Sequence, residues 1–281
     1  MPAIEIRPQP KQEAFLSSQA DIAIYGGSAG GGKTFASLIE PLRHVGNPRF
    51  GAVIFRRTYP EIVREGGMWD EASAIYPLVG GRPNKNDLSF RFPSGAKITF
   101  AAMQYEDDKL SWKSAQIPLI EFDQLETFTI GQFFYMFSRN RSTCGVRPYV
   151  RGTCNPEPGW LADFLAWWIA EDGYADLSRA GQLRWMVRQG NDQIDWYDTE
   201  LAAREAHPDN PPKSVTFIPA TIYDNQELLR RDPGYVANLK ALSYVDRERL
   251  LGDADRGGNW RVKPSAGKVF NRSWFAMAEA A

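Results

Sequence analysis

Hydrophobic residues along this chain are concentrated in short runs, separated by polar and helical stretches. The apolar runs that predict buried strands are 22–25, 52–55, 117–122, 148–153 and 215–218. Residues 34–44 and 129–139 have helical patterns, and Pro41 is expected to shorten or kink the first of them. Strands that alternate with helices in this way are typical of a mainly parallel α/β sheet covered on both faces.

A turn at Pro93-Ser94-Gly95 separates two alternating segments, 88–92 and 97–102, which predicts a β-hairpin. The pattern changes after Pro156. The segments predicted there are an aromatic helix at 160–170, an irregular or mobile stretch at 189–212, one more strand at 215–218, short helices at 224–251 and a linker at 257–268. The resulting division is a core at 1–222 with an insertion at about 172–213, a helical lid subdomain at 223–256 and a linker or tail at 257–281.

The composition is that of a folded globular protein and excludes collagen-like, low-complexity and disordered chains. Hydrophobic residues make up 43% of the 281 residues and charged residues 24%. With 33 basic and 34 acidic residues the formal net charge is −1, so bulk basicity gives no argument for nucleic-acid binding. A DNA partner would have to be held by local contacts.

The two cysteines and two histidines lack the spacing of a disulfide scaffold or a zinc site. Residues 1–12 lack the apolar run of a signal peptide, and no stretch reaches the ~20 apolar residues of a membrane span. These features predict an intracellular protein without a membrane partner.

The strongest chemical signal is the segment Gly27-Ser28-Ala29-Gly30-Gly31-Gly32-Lys33-Thr34, which matches the phosphate-binding pattern G-x-x-x-x-G-K-[ST]. Its glycines let backbone N–H groups converge on phosphate oxygens, Lys33 reaches the β- and γ-phosphates, and the Thr34 hydroxyl is a Mg²⁺ ligand. The segment follows a predicted strand and precedes a predicted helix, as the pattern requires. We therefore expect a nucleotide to bind here.

Such a loop needs an acidic residue on a neighbouring strand to hold the metal shell, and a carboxylate to activate water. Asp123, at the end of the run 117–122, is the expected metal-side acid. The next residue is Gln124, whose amide can hydrogen-bond to a water but cannot accept its proton. Gln124 is either a natural departure or a substitution that traps ATP.

Two other carboxylates are alternative bases. Glu121 has the same strand parity as Asp123, and Glu126 lies just beyond the strand end. For Glu121, a structural ion pair with a nearby arginine is favoured over catalysis.

Arg139 and Arg141 end a predicted helix, and Arg56 and Arg57 end a predicted strand. Either pair can point at phosphate, or at the nucleotide of a neighbouring subunit as an arginine finger. Surface ion pairing, together with the negative helix C-terminus near Arg139, is an equal alternative. Upstream, the Gln12 amide is a candidate for reading adenine.

Taken together, these motifs resemble the ATPase domain of the large terminase subunit of tailed bacteriophages, the motor that pumps DNA into a procapsid. The matching segments, in chain order, are Gln12, 25–34, 54–58, the hairpin at 94–95, 122–125, 132–141, 151–156, 224–225 and 258–260. They cover nearly the whole chain, and the ordered set is more specific than the phosphate-binding loop by itself.

The resemblance implies an ASCE-type, RecA-like P-loop NTPase core that binds ATP and Mg²⁺. It also implies that Thr153 and Asn155 form a coupling motif that senses the γ-phosphate, which agrees with short polar side chains at the carboxyl end of a strand. A simple turn role for Asn155 before Pro156 is the alternative. The lid after Asp224 would move with nucleotide state, and a neighbouring subunit would supply an arginine.

The implied partners are double-stranded DNA, the portal protein of the procapsid, the small terminase subunit and further copies of this chain. The implied working form is a homo-oligomeric ring, expected to be a pentamer, whereas the isolated domain can be monomeric. The implied location is the host cytoplasm. A ring needs only a few basic groups or backbone donors per subunit to hold DNA, which reconciles DNA binding with the net charge of −1.

Two departures from the family pattern bear on these expectations. Gln124 stands where the family usually has the catalytic Glu, which predicts intact ATP binding and leaves hydrolysis open. Where a nuclease would follow, the tail has only Glu279 as an acid, so we expect no DNA cleavage. Alternative functions are another nucleic-acid motor, such as a helicase, and a nucleotide-binding assembly switch without turnover.

Overall fold

The computed structural model describes residues 5–190 and 193–263. The strands in these residues are β1 (Ile22–Gly27), β2 (Gly51–Arg56), β3 (Arg82–Asn84), β4 (Ser89–Arg91), β5 (Lys97–Ala102), β6 (Leu119–Phe122), β7 (Tyr149–Cys154), β8 (Arg184–Arg188), β9 (Ile194–Tyr197) and β10 (Lys213–Ala220). The α-helices are α1 (Pro10–Leu16), α2 (Lys33–Ile39), α3 (Tyr59–Val63), α4 (Met68–Ile75), α5 (Ile130–Phe137), α6 (Trp160–Phe164), α7 (Glu200–Ala206), α8 (Gln226–Arg231), α9 (Tyr235–Lys240) and α10 (Tyr244–Leu250). Short 3-10 turns cover Glu40–His44, Tyr76–Val79, Glu106–Trp112, Leu125–Thr127, Ala166–Trp168 and Ile222–Asp224.

All ten strands belong to one sheet, in the order β3-β4-β5-β2-β6-β7-β1-β10-β8-β9. The six central strands, from β5 to β10 in this order, run parallel. Two antiparallel strands extend the sheet at each edge. This arrangement confirms the predicted mainly parallel α/β sheet, and it brings the carboxyl ends of β1, β6 and β7 to one edge.

Helices cover both faces of β1, because successive side chains of a strand point in opposite directions. Ile24 belongs to a core that includes apolar side chains of α5 and α6. Its neighbour Tyr25 stacks on Phe15 of α1, with ring centroids 5.3 Å apart, and packs with Ala36 of α2. Burial on both faces therefore explains why this strand is a continuous apolar run in the sequence.

Two local predictions are confirmed. The hairpin is present as the antiparallel pair β4 and β5, in which Ser89 lies opposite Thr99. The helical pattern at 34–44 is shortened next to Pro41: α2 ends at Ile39, and a 3-10 turn follows. Proline causes this change because it has no backbone N–H for the helical hydrogen bond.

The predicted helix at 160–170 is wrong as a continuous element. Helix α6 ends at Phe164, and residues 166–168 form a separate 3-10 turn. Leu165 and Trp168 are both fully buried, so packing of these bulky side chains sets the backbone here. None of the helices that the structure describes is both long and apolar enough to cross a membrane.

The prediction of an irregular stretch at 189–212 is also wrong. This segment contains β9 and α7, and the sheet continues from β10 through β8 to β9. The Trp196 ring on β9 lies 5.2 Å from the Phe164 ring on α6. Tertiary packing thus stabilises a four-residue strand that lies within a mostly polar stretch of the chain.

The predicted linker at 257–268 is wrong for the residues that the structure describes. Asn259 and Trp260 are buried, and the Trp260 ring lies 5.7 Å from that of Phe217 on β10. Asn259 Nδ2 also donates to the Asp172 carbonyl oxygen at 2.9 Å. The rest of the predicted linker and tail, 264–281, lies outside the described residues.

Replacing Trp260 by Ala removes a large ring that is only 1% exposed, and it leaves a cavity against β10. We expect Trp260→Ala to lower the free energy of unfolding by about 3–5 kcal/mol. Chemical denaturation followed by circular dichroism measures the loss. The control is Leu201→Ala, at a side chain 66% exposed, which should change stability by less than about 0.5 kcal/mol. Equal stabilities of the two variants would show that this segment does not belong to the core.

Candidate functional site

The glycine-rich segment 27–34 forms the turn between β1 and α2. At Gly27 the backbone φ is +140°, and a Cβ atom there would lie 1.9 Å from the Ala220 carbonyl oxygen. At Gly32 φ is +74°, and a Cβ atom would lie 2.5 Å from Gln12 Nε2. Only glycine fits both positions, so the motif glycines let the loop pass close to β10 and α1 as it turns into α2.

Side chains from separate parts of the chain hold the carbonyl groups of this loop. The hydrogen bonds are Tyr25 hydroxyl to Gly31 O at 2.8 Å, Asn225 Nδ2 to Gly30 O at 2.6 Å, and Gln12 Nε2 to Gly32 O at 2.8 Å. The loop conformation is therefore fixed by the protein before any ligand binds, which lowers the entropic cost of binding.

Two predicted binding residues support the loop. Ser28 is fully buried, and its hydroxyl donates to the Leu251 carbonyl oxygen at 2.7 Å. The Oε1 atom of Gln12 accepts from the Gln9 N–H at 2.8 Å, and its Nε2 donates to the Gly32 carbonyl oxygen. Gln12 therefore braces the loop; it also lines a neighbouring cavity with Phe35, so its contact with adenine stays a prediction.

Lys33 begins α2 and folds back over the loop, where its Nζ donates to the Ser28 carbonyl oxygen at 2.6 Å. Burial lowers the pKa of Lys33, and Cys154, Glu126 and Asp123 act in the opposite direction. The lysine of the motif therefore lies close to the acidic residues that follow β6.

Asp123 directly follows β6 and is 2% exposed. Its Oδ1 accepts a hydrogen bond from the Thr153 hydroxyl on β7, and its Oδ2 lies 2.7 Å from Arg56 Nε at the end of β2. Arg56 Nε and Asp123 Oδ2 therefore form an ion pair, but their geometry is not that of a hydrogen bond. Three neighbouring strands thus bring a carboxylate, a hydroxyl and a guanidinium together.

The next residues continue this network. Gln124 has a left-handed backbone, with φ at +61°, and its N–H donates to Thr153 Oγ1 at 3.3 Å. Asn155 Nδ2 donates to Glu126 Oε1 at 3.1 Å. Burial raises the pKa of Glu126 to about 7, and hydrogen bonds at Asn155 and the charge of Lys33 limit the shift.

A cleft of about 370 Å³ lies over these groups and joins predicted residues with others that the sequence did not indicate. Its lining residues are Ala29, Gly30, Gly31, Gly32, Lys33, Thr34, Phe35, Arg56, Glu71, Asp123, Gln124, Thr153, Asn155, Asn225 and Leu228. Glu71 on α4 is the unexpected carboxylate, and burial and Asp123 raise its pKa while Arg56 opposes them. No motif marks Glu71, because it is the packing of Trp69 on Phe90, with ring centroids 4.8 Å apart, that places α4 here.

Glu121 does not line this cleft, which corrects its place among the catalytic candidates. It is 1% exposed, and its Oε2 accepts from the Ser37 hydroxyl of α2 at 2.6 Å. Arg151, its neighbour across the β6–β7 pair, forms an ion pair with Glu40 instead, at 3.5 Å. Burial raises the pKa of Glu121 well above its usual range. Strand parity placed the carboxylate on the correct face, but α2 covers that face below the loop.

Arg139 and Arg141 lie near the amino end of β6, whereas the cleft lies beyond its carboxyl end. The Ile117 N–H, just before β6, donates to the Arg139 carbonyl oxygen at 3.1 Å, whereas the cleft begins after β6 ends. The Arg139 guanidinium donates to the Lys113 carbonyl oxygen, and Arg141 Nη2 to that of Ala115 at 3.2 Å. Both arginines therefore lie away from the cleft of their own chain.

Comparison with known proteins gives one family and one fold. The family model described as terminase large subunit, T4likevirus-type, N-terminal, matches residues 24–277. A large terminase from a thermophilic bacteriophage, solved with ADP, superposes with a TM-score of 0.56 and 12% identity, over 90% of this chain and 53% of that one. The large terminase ATPase domain of Thermus phage P74-26 superposes with a TM-score of 0.53 and 13% sequence identity, over 88% of this chain and 93% of that one.

This chain therefore spans about half the length of the first of these structures. At such identities the similarity shows a shared fold. No curated protein matches the chain.

The raised pKa of Glu121 makes stability depend on pH. The folded chain keeps a proton on Glu121 that the unfolded chain releases above its ordinary pKa, so this contribution to stability falls as pH rises. Glu121→Gln cannot ionise. We expect its free energy of unfolding, relative to the parent, to rise as the pH increases above about 5, by up to about 1.4 kcal/mol per pH unit.

Urea titrations at several pH values measure this difference. Glu157→Gln, at an exposed position, is the matched control and should follow the parent at every pH. A stability difference between Glu121→Gln and the parent that does not change with pH would contradict the prediction.

Proposed function

Because this chain belongs to the family of terminase large subunits, which matches it over residues 24–277, we propose that it is the ATP-driven motor domain that moves double-stranded viral DNA into a procapsid. The observation that carries the proposal is the cleft in which Lys33, Asp123 and Thr153 meet. A phosphate-binding lysine, a metal-side acid and a strand-end hydroxyl on adjacent strands are the parts that phosphoryl transfer needs.

We place the phosphates of ATP in the loop at the start of α2, where backbone N–H groups favour anions. Lys33 would exchange its hydrogen bond with Ser28 for one with the β- and γ-phosphate oxygens. A second cavity, of about 630 Å³, adjoins the cleft at Gly32 and Phe35. The adenosine would lie there, against the Phe35 ring.

The oxygen atoms of the cleft fit Mg²⁺, which takes oxygen ligands. Asp123 Oδ2 is buried, and it is paired there with Arg56 Nε at 2.7 Å without a hydrogen bond; Thr34 lines the same cleft. Asp123 and Thr34 would hold the ion once it replaced Arg56 at Oδ2, and the ion would neutralise charge on the phosphate oxygens. Arg56 would offer further N–H donors to the phosphates from its place beside Asp123.

The hydrogen bonds of the phosphate-binding loop and of β7 would transmit ATP hydrolysis to movement of the helices at 223–256. Thr153 and Asn155 at the end of β7 are bonded to Asp123 and Glu126, so a change at the γ-phosphate would alter both pairs. The Ala29 N–H donates to the Leu250 carbonyl oxygen at 2.7 Å. A shift of the loop would therefore displace the short helices at 223–256, for which we keep the role of a lid.

The proposed partners are duplex DNA, the portal of the procapsid, the small terminase subunit and other copies of this chain. The copies would form a ring, a pentamer in its working state, in the host cytoplasm. Arg139 or Arg141 of one copy would then face the nucleotide of the next, which their position away from the cleft of their own chain supports.

Lys33→Ala removes the ammonium that would face the phosphates. We expect the Kd for Mg-ATP to rise by more than about tenfold, because a hydrogen bond to a charged group contributes about 1.5–3 kcal/mol. Titration with a fluorescent ATP analogue measures the change, and the variant should also fail to package DNA into procapsids. The control is Lys85→Ala, at an exposed lysine, which should bind ATP as the parent does. Unchanged affinity in Lys33→Ala would refute the site.

Mixing two defective variants tests the arginine in trans. The double variant Arg139→Ala, Arg141→Ala should bind ATP normally but lose at least about 10³-fold in turnover under packaging conditions. Adding Lys33→Ala, which has intact arginines and a defective loop, should restore part of the ATPase rate. Absence of any restoration would contradict the arrangement in which one copy completes the site of the next.

A further inference from the structure

Gln124 has a side-chain amide at the position where ATP hydrolysis requires a proton acceptor. Gln124 follows Asp123 and lines the cleft. A glutamine side chain can hydrogen-bond to a water molecule and orient it, but it cannot accept the proton that the water loses. If this chain hydrolyses ATP, another residue must supply the base.

Three glutamates lie near enough to be considered, and their surroundings differ. Glu121 is bonded to Ser37 and enclosed under α2. Glu71 lines the cleft from α4, where its residue is exposed to solvent; burial and Asp123 raise its pKa, and Arg56 opposes them. Glu126 is not itself a lining residue, but it follows Asp123 by one helical turn and is hydrogen-bonded to Asn155, which lines the cleft.

The two carboxylate oxygens of Glu126 differ in their hydrogen bonding. Its Oε1 accepts from Asn155 Nδ2 at 3.1 Å, and Asn155 itself lines the cleft. Its Oε2 is buried and has no hydrogen-bond partner among the described residues. A buried oxygen without a donor costs free energy, so its retention beside the cleft needs an explanation.

The charges around Glu126 supply that explanation. Lys33, the residue that would bind the β- and γ-phosphates, attracts the Glu126 carboxylate across the cleft floor. Burial raises the pKa of Glu126 to about 7, close to the value at which a carboxylate both ionises and accepts a proton effectively near neutral pH. Asn155 fixes the orientation of the group, as a second residue commonly does for a general base.

We propose that Glu126 is the general base of ATP hydrolysis in this chain, with Gln124 orienting the water; this rests on the proposed function. In the step, the water oxygen bonds to the γ-phosphorus, and the bond from that phosphorus to the β–γ bridging oxygen breaks. The electron pair of the broken bond stays on ADP. The proton of the water passes to Glu126 Oε2, and inorganic phosphate leaves with the former water oxygen.

The test compares Glu126→Gln with the control Glu157→Gln, at an exposed glutamate outside the lining of the cleft. Glutamine at position 126 keeps an oxygen for Asn155 but cannot take a proton. We expect single-turnover hydrolysis, with duplex DNA present, to fall by about 10²–10⁴-fold in Glu126→Gln. Its Kd for Mg-ATP and its melting temperature should stay at the parental values, and Glu157→Gln should hydrolyse ATP within about threefold of the parent.

Hydrolysis by Glu126→Gln at the parental rate would overturn the proposal. So would a parent that binds ATP but does not hydrolyse it under these conditions, because the base would then have no reaction to serve. A parent that binds no ATP would instead refute the proposed function itself.

Discussion

The parallel pairing of β6, β7 and β1 is the constraint on which the site depends. Its register sets Phe122 opposite Gly152 and Tyr25 opposite Thr153, so the residues that follow these strands leave the sheet at one edge. A slip of one residue in β7 would turn Thr153 to the other face and break its hydrogen bond with Asp123. The cores on both faces prevent such a slip. The geometry of the cleft is therefore maintained by hydrophobic packing beneath it.

Of the three buried carboxylates near the carboxyl end of β6, Asp123 forms an ion pair, whereas Glu121 and Glu126 form none among the described residues. This difference in charge pairing corresponds to a difference in the role that each carboxylate can have. Asp123 forms an ion pair with Arg56, which places a positive charge beside this buried carboxylate. Glu121 and Glu126 form no ion pair within 4 Å among the described residues, and burial raises the pKa of both. Glu121 is enclosed under α2, whereas Glu126 is held by Asn155 at the cleft. The same shift thus favours a structural role in one position and proton transfer in the other.

The phosphate-binding loop also joins the sheet to the helices at its carboxyl side. Ser28 donates to Leu251 and Asn225 to Gly30, so the loop and the segment around α8–α10 share hydrogen bonds in both directions. Ile222, Leu251 and their apolar neighbours pack against Ala29 of the loop. A ligand that changes the loop must therefore act on these helices, which is the physical requirement for converting nucleotide state into movement.

The sequence by itself determined the six parallel strands, the hairpin, the loop and the place of Asp123, because apolar periodicity and the glycine-rich motif are local properties that survive in almost any surroundings. Only the tertiary structure decided which side chains reach the cleft. It enclosed Glu121, used both ends of the Gln12 amide and brought Glu71 from a helix without a motif. It also buried Trp260 where the composition suggested a linker. The physical reason is that periodicity fixes the face on which a residue lies, whereas the element that covers that face depends on contacts between distant parts of the chain.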